Sequence, residues 1–238
     1  VTRSSIRIER RFRGPAESGN GGYVCGRVAA LLDGPVQVTL RIPPPLEVPL
    51  EVERDETGVR LVRGGEVVAE GRRADPSDVE PPPWPPPSLD AAREARKGFR
   101  GFVDHPFPTC FVCGPERAEG DGMRIHPGWV DAHQVADAFV PDASLDAGDG
   151  RMAPELVWAA LDCPGAFALM GDAREDLTLV LGRMTARVAV RPRIGESLLV
   201  TGWVGGREGR KHHCGTALWR PTGERCAVAR ATWIALAR

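Results

Sequence analysis

An α+β architecture, with two antiparallel sheets each wrapped around a central helix, is the fold class this sequence predicts. Three observations lead there. The runs "VQVTLRIPPPLEVPLEV" (36–52) and "MTARVAVRPRIGESLLV" (184–200) match in hydrophobic pattern without a gap. "RGGEVVAEGR" and "RPTGERCAVAR" repeat that relation further on. Each half also places one helical stretch ahead of its strands, so the chain reads as a single unit written twice. Two such units can pair their sheets and act as an internal dimer.

The elements follow in order. "GNGGYVCGRVAALL" reads as a helix from about Gly21 to Leu32, and its glycines point to close backbone packing. "PVQVTLRI" sets Val36, Val38, Leu40 and Ile42 on one face and Gln37, Thr39 and Arg41 on the other, the mark of a half-buried strand. "LEVPLEVERDE", "GVRLVRG" and "EVVAEGR" continue as short strands between turn residues. "DVEPPPWPPPSLD" (78–90) then places six Pro around one Trp. Such a run donates few backbone hydrogen bonds and favours a stiff extended spacer, with Trp84 as an anchor. "SLDAAREARKGF" is a short helix capped by Ser88. Beyond it, "MRIHPGWV" and "QVADAFV" read as strands. "APELVWAALDC" reads as a helix opened by Pro154, with Pro164-Gly165 set to kink or break it. "RMTARVAV", "ESLLVTGWV", "HHCGTALW" and "CAVARATWIAL" complete four more strands. The expected domains are 1–75, a linker with its helix at 76–104, and 105–238.

Composition narrows the function classes. The 238 residues carry 31 basic and 32 acidic groups, a net charge of −1 that gives no general pull toward nucleic acid or anionic lipid. No apolar run approaches the ~20 residues that cross a bilayer. The N-terminus "VTRSSIRIERRF" lacks the apolar core of a signal peptide. Six irregularly spaced Cys do not form a disulfide scaffold, so a reducing cytoplasm is expected. Neither a nucleic-acid partner nor a membrane is expected.

"CFVCGPERAEGDGMRI" contains Cys110-x-x-Cys113. Zinc would need two further ligands, and no second C-x-x-C exists, so no metal is expected. A redox pair would need a helix after the motif, which Gly114-Pro115 disfavours. His212 and His213 adjoin in a strand and point to opposite faces, so they do not share a metal. No G-x-S-x-G elbow is present.

Three stretches resemble the hotdog-fold thioesterases in their double-hotdog arrangement. "CFVCGPERAEGDGMRI" is similar to their "CFxCGxxNPxGLxL" opening. "GNGGYVCGRVAALL" is similar to their "HGGxxxxLL" helix start. "VAVRPRIGESLLVTGWV" with "GERCAVARATWI" is similar to their closing strands. The chain departs at Asn20, where the family has His, and at Ala153-Pro154-Glu155, where the second half should read HGG. The resemblance implies hydrolysis of an acyl thioester. A carbonyl would sit at the amino end of a central helix, and an acid from the partnering helix would reach it.

The family places that acid nine positions after its His. Nine positions after Asn20 is Ala29, and nine after Ala153 is Asp162. Each half therefore keeps one component, and a single composite site is expected: the Gly21 and Gly22 amides of the first half facing Asp162 of the second. Asp162 has a structural alternative as a cap or ion-pair partner near Pro164. Asn20 suits a helix N-cap and substrate contact, and Glu155 suits a first-turn position near the substrate. Arg207, Arg210 and Lys211, in "GREGRKHHC", offer a basic rim for the phosphates of coenzyme A, with a solvated hairpin tip as the alternative. No cofactor is expected beyond acyl-CoA as substrate or ligand, and an oligomer of double hotdogs is compatible with this reading. Three alternatives stand beside the thioesterase: a non-catalytic acyl-CoA or lipid-binding protein, a hotdog enoyl-CoA hydratase, and a zinc-dependent adaptor.

Overall fold

The computed structural model describes residues 4–82, 84–172 and 177–236. Pro83 of the expected spacer and the first three residues of the N-terminus lie outside the described residues. The first half contains β1 (Ser5–Arg7), α1 (Gly21–Ala29), β2 (Val36–Leu40), β3 (Pro49–Asp55), β4 (Gly58–Arg63) and β5 (Glu66–Arg73). After α2 (Leu89–Arg96), the second half contains β6 (Gly128–Trp129), β7 (Val135–Phe139), α3 (Pro154–Ala160), α4 (Cys163–Asp172), β8 (Leu179–Val188), β9 (Leu198–Glu208), β10 (Lys211–Trp219) and β11 (Arg225–Ala235).

The expectation of two sheets is corrected. The strands form one antiparallel sheet in the order β1-β3-β4-β5-β2-β8-β11-β10-β9-β7-β6. The halves join where β2 pairs with β8, Val36 opposite Ala186, Gln37 opposite Thr185 and Val38 opposite Met184. The two repeated runs are offset by the 148 positions that separate Gln37 from Thr185. This register is therefore its own mirror, and a local twofold passes through the Gln37–Thr185 pair. Gln37 Nε2 donates to Thr185 Oγ1 there at 3.2 Å. Val36, Val38, Met184 and Ala186 are buried beside it, and apolar residues on both inner edges leave no reason for the sheet to split.

The concave side holds the helices. α1 and α3 pack so closely that a Cβ on Gly22 would lie 2.6 Å from Asp162 Cβ, and one on Gly26 would lie 2.5 Å from Glu155 Cα. This is the close backbone approach read from the glycines of α1. The helix is shorter than expected: it stops at Ala29, and the chain turns through Gly34, whose φ is +79°. Pro154 opens α3 as expected. The break falls earlier than Pro164, at Leu161–Asp162, and Pro164-Gly165 lie in the first turn of α4, where proline is tolerated. Thr216 Oγ1 donates to the freed Leu161 carbonyl at 2.7 Å.

"MRIHPGWV" supplies only the two residues of β6. Its amides have other acceptors: Met123 donates to Phe111 O, Ile125 to Val112 O, and His126 to the Asp137 carboxylate. Ser88 caps α2 by accepting from Ala91 N at 3.1 Å. The spacer and α2 cover the outer face of the second half, where Val79, Leu89 and Ala92 meet Leu199, Trp219 and Val228. Trp84 stands edge-on to Trp203, ring centroids 6.5 Å apart. No helix among the described residues is long and apolar enough to cross a membrane.

Candidate functional site

The break between α3 and α4 places Asp162 at the amino end of α1. Asp162 is 2 % exposed. Its Oδ2 accepts from Gly22 N at 2.9 Å and from Asn20 Nδ2 at 2.8 Å. Asn20 uses its other atom to cap α1, Oδ1 accepting from Tyr23 N at 2.9 Å. One amide side chain therefore ties the carboxylate to the helix start. Asp162 Oδ1 is buried with no hydrogen-bond partner. Burial pushes the carboxyl up to about 7, against the downward pull of the Gly22 amide and Asn20. Among the described residues no Arg pairs with it: the acid is bound by the start of α1.

These residues lie at the wall of a cavity of about 430 Å³, within the ~300–1,000 Å³ typical of small-molecule sites. Asn20, Gly21 and Asp162 line it, together with Phe107, Phe167, Met170, Leu181 and Trp233. A Cβ on Gly21 would meet Leu181 Cβ at 2.7 Å, so glycine is needed here for the helix to reach the strand.

Of the residues expected at the site, Asp162, Asn20, Gly21 and Gly22 come together. The Gly22 amide, expected to face the carboxylate across a substrate, donates to it directly. Glu155 does not line the cavity and backs onto Gly26 at the far end of the α1–α3 contact. At that quasi-equivalent end α1 offers Ala29 where the other end has Asp162. Arg207, Arg210 and Lys211 are exposed at the β9–β10 hairpin and do not line the cavity. Arg207 Nε donates to Gly209 O and Arg210 Nε to Ala235 O, as in an ordinary hairpin tip.

Four lining residues had no role from sequence. Arg41, just beyond β2, lines the cavity, while its guanidinium pairs with Glu70, which does not line it. His105 contributes an imidazole whose pKa is lowered by burial. Cys110 and Cys163 complete the wall beside Asp162. Cys163 directly follows Asp162 in sequence, and that adjacency was the available signal for it. Arg41 falls near the end of the alternating run of β2 and Cys110 opens the C-x-x-C, but neither pattern says which cavity the residue meets, and His105 comes in on a loop.

A scan of family models and a search of curated proteins return no match to this chain. Solved structures do match. A candidate thioesterase from Novosphingobium aromaticivorans superposes with TM-score 0.62 at 12% identity, covering 98% of this chain and 95% of its own. The chain carries the hotdog fold. A candidate thioesterase II from Thermobifida fusca aligns over 100% of this chain and 93% of its own, with TM-score 0.59 and 15% identity. The tesB protein of Mycobacterium avium subspecies paratuberculosis aligns over 94% and 90%, with TM-score 0.57 and 13% identity. These alignments run through both halves of the chain.

Proposed function

We propose that this hotdog protein hydrolyses an acyl thioester, with coenzyme A as the expected carrier, in the composite site between its halves. The observation that carries the reading is the buried Asp162 carboxylate, bound to the amino end of α1 at the wall of an apolar cavity. The cavity would take the acyl chain. The Gly21 amide, with the positive end of the helix, would receive the thioester oxygen, because the Gly22 amide is already committed to Asp162. Asp162 Oδ1, the unpaired oxygen, would take a proton from water as the water oxygen adds to the carbonyl carbon. The C–S bond then breaks, giving a carboxylic acid and a free thiol.

Binding without turnover is the second reading, favoured by one observation: Asp162 Oδ2 is held by two donors from its own chain. One experiment separates the two. A panel of acyl-CoAs is incubated with the protein and free thiol is followed, with Asp162→Asn alongside. Thiol release that falls roughly 100-fold or more in the variant supports hydrolysis by Asp162. Saturable acyl-CoA binding without thiol release establishes the binder, and unchanged turnover in the variant removes Asp162 from the mechanism.

A further inference from the structure

The sequence alone supplies two thiols at Cys110 and Cys113, too few for a metal site, and the fold supplies a third. Cys163, 53 residues from Cys110, brings its Sγ to 3.8 Å from that of Cys110. The three Sγ atoms of Cys110, Cys113 and Cys163 lie within 4.8 Å of one another, and all three residues are buried. Two sulfurs bound to one tetrahedral zinc at ~2.3 Å each stand about 3.8 Å apart. The observed spacing therefore suits sulfurs sharing an ion better than sulfurs sharing a bond, which would bring them to ~2.05 Å.

The loop is also fixed around Cys110: Asn20 Nδ2 approaches Cys110 Sγ at 3.8 Å. Gly114 closes the turn by donating to Cys110 O at 2.9 Å. A Cβ at Gly114 would stand 2.5 Å from Pro108 O and 2.6 Å from Cys110 N, so this tight C-x-x-C-G turn requires the glycine. All three cysteines line the cavity that Asp162 also lines. Three thiols converging from two remote segments are a ligand set with one position left open.

We propose that Cys110, Cys113 and Cys163 bind one thiophilic divalent cation, zinc by the choice of ligands, with its fourth position facing the cavity at Asp162. Each thiol that binds gives up its proton, so loading releases protons to the buffer. The proposal does not rest on the hydrolase reading, since a metal here could serve structure alone.

The test uses the full chain, reduced and stripped of metal, and titrates it with cobalt(II) as a spectroscopic probe. The expected result is one cobalt per chain, with a thiolate-to-cobalt charge-transfer band, the visible bands of a tetrahedral ion, and displacement of both by zinc. Cys163→Ser should weaken binding by roughly 100-fold or more and lower the charge-transfer intensity. Cys226→Ser, at a buried thiol away from the cluster, should leave both unchanged. Should Cys163→Ser fail to fold by circular dichroism, Cys113→Ser is the second variant, and the wild-type spectrum stands as a test by itself. No charge-transfer band in the reduced wild type overturns the proposal, as does unaltered binding in a folded Cys163→Ser protein. Thiol release from acyl-CoA is measured separately, so a metal-free hydrolase and a metal-binding non-enzyme are distinguishable results.

Discussion

Asp162 and Gly22 meet where a helix of one half touches a helix of the other, and each fixes what the other can be. A side chain on Gly22 would enter not only Asp162 Cβ but also Trp158 O at 2.8 Å and Ala159 Cα at 3.1 Å. Two of these neighbours are backbone, which does not rotate out of the way. Gly22→Ala should cost about 1–3 kcal/mol by denaturant melting, and the 2.9 Å contact to Asp162 should be lost with it. Gly26→Ala meets an equally hard wall, Glu155 Cα at 2.5 Å and Glu155 O at 2.8 Å, far from the cavity. Both variants should therefore lower the melting midpoint. Only Gly22→Ala should also abolish acyl-CoA turnover under conditions where the variant remains folded. Equal loss of turnover in the two would mean that helix packing, and not the site, controls activity. The Asp162–α1 pairing was legible through the resemblance, which implies an acid nine positions after the helix start and so points to Asp162 after Ala153. The direct bond from Gly22 to the carboxylate was not legible, because it depends on where α3 stops, and Leu161 has no sequence mark for that.

α2, β7 and the loop before β6 meet at a buried polar cluster that periodicity did not reveal. Arg96 donates to Asp137 Oδ2 at 2.5 Å and to His126 Nδ1 at 2.8 Å. Asp137 Oδ2 also accepts from His126 N at 2.6 Å. Burial, together with the Arg96, Arg124 and His105 charges, lowers the His126 imidazole to about 3. Its folded value thus lies below its unfolded one. The unfolded chain takes up the proton near the ordinary histidine value of about 6.5, while the native protein waits until about 3. The stability linked to His126 is therefore complete above that ordinary value and is lost as pH falls toward the folded one. His126→Gln should show a shallower acid loss in urea midpoint than the wild type, and parallel pH curves for the two proteins would refute this. The segment around His126 reads as a strand because its apolar residues alternate. Its amides instead serve the Cys110–Gly114 turn and Asp137, a tertiary demand that outweighs local pattern. The strands of the two repeats, by contrast, were largely legible from their alternation, although β8 begins at Leu179, four residues before the run read as a strand.

Across the whole molecule, the β2–β8 junction makes the two repeats one sheet, and α1 on α3 makes their cores continuous. Neither half can expose its seam without uncovering Val38 and Met184, both fully buried. Unfolding should accordingly be a single transition, with calorimetric and van't Hoff enthalpies equal. Two resolved transitions would mean that the halves are separable domains. The repeat was visible in the sequence. Its fusion into one sheet was not, because hydrophobic alternation says which face of a strand is covered and leaves open which strand lies alongside. The Gln37–Thr185 pair at the centre of that junction has a further consequence. In an assembly of two identical chains, a residue on the twofold meets its own copy, and a donor there must face the same donor. Here one chain supplies both sides, so an amide can meet a hydroxyl. The same freedom reaches the helices: a substitution in one half is not forced on the other. One end of the α1–α3 contact can therefore hold the acid while the opposite end holds Ala29, a division of labour that two copies of a single gene product could not make.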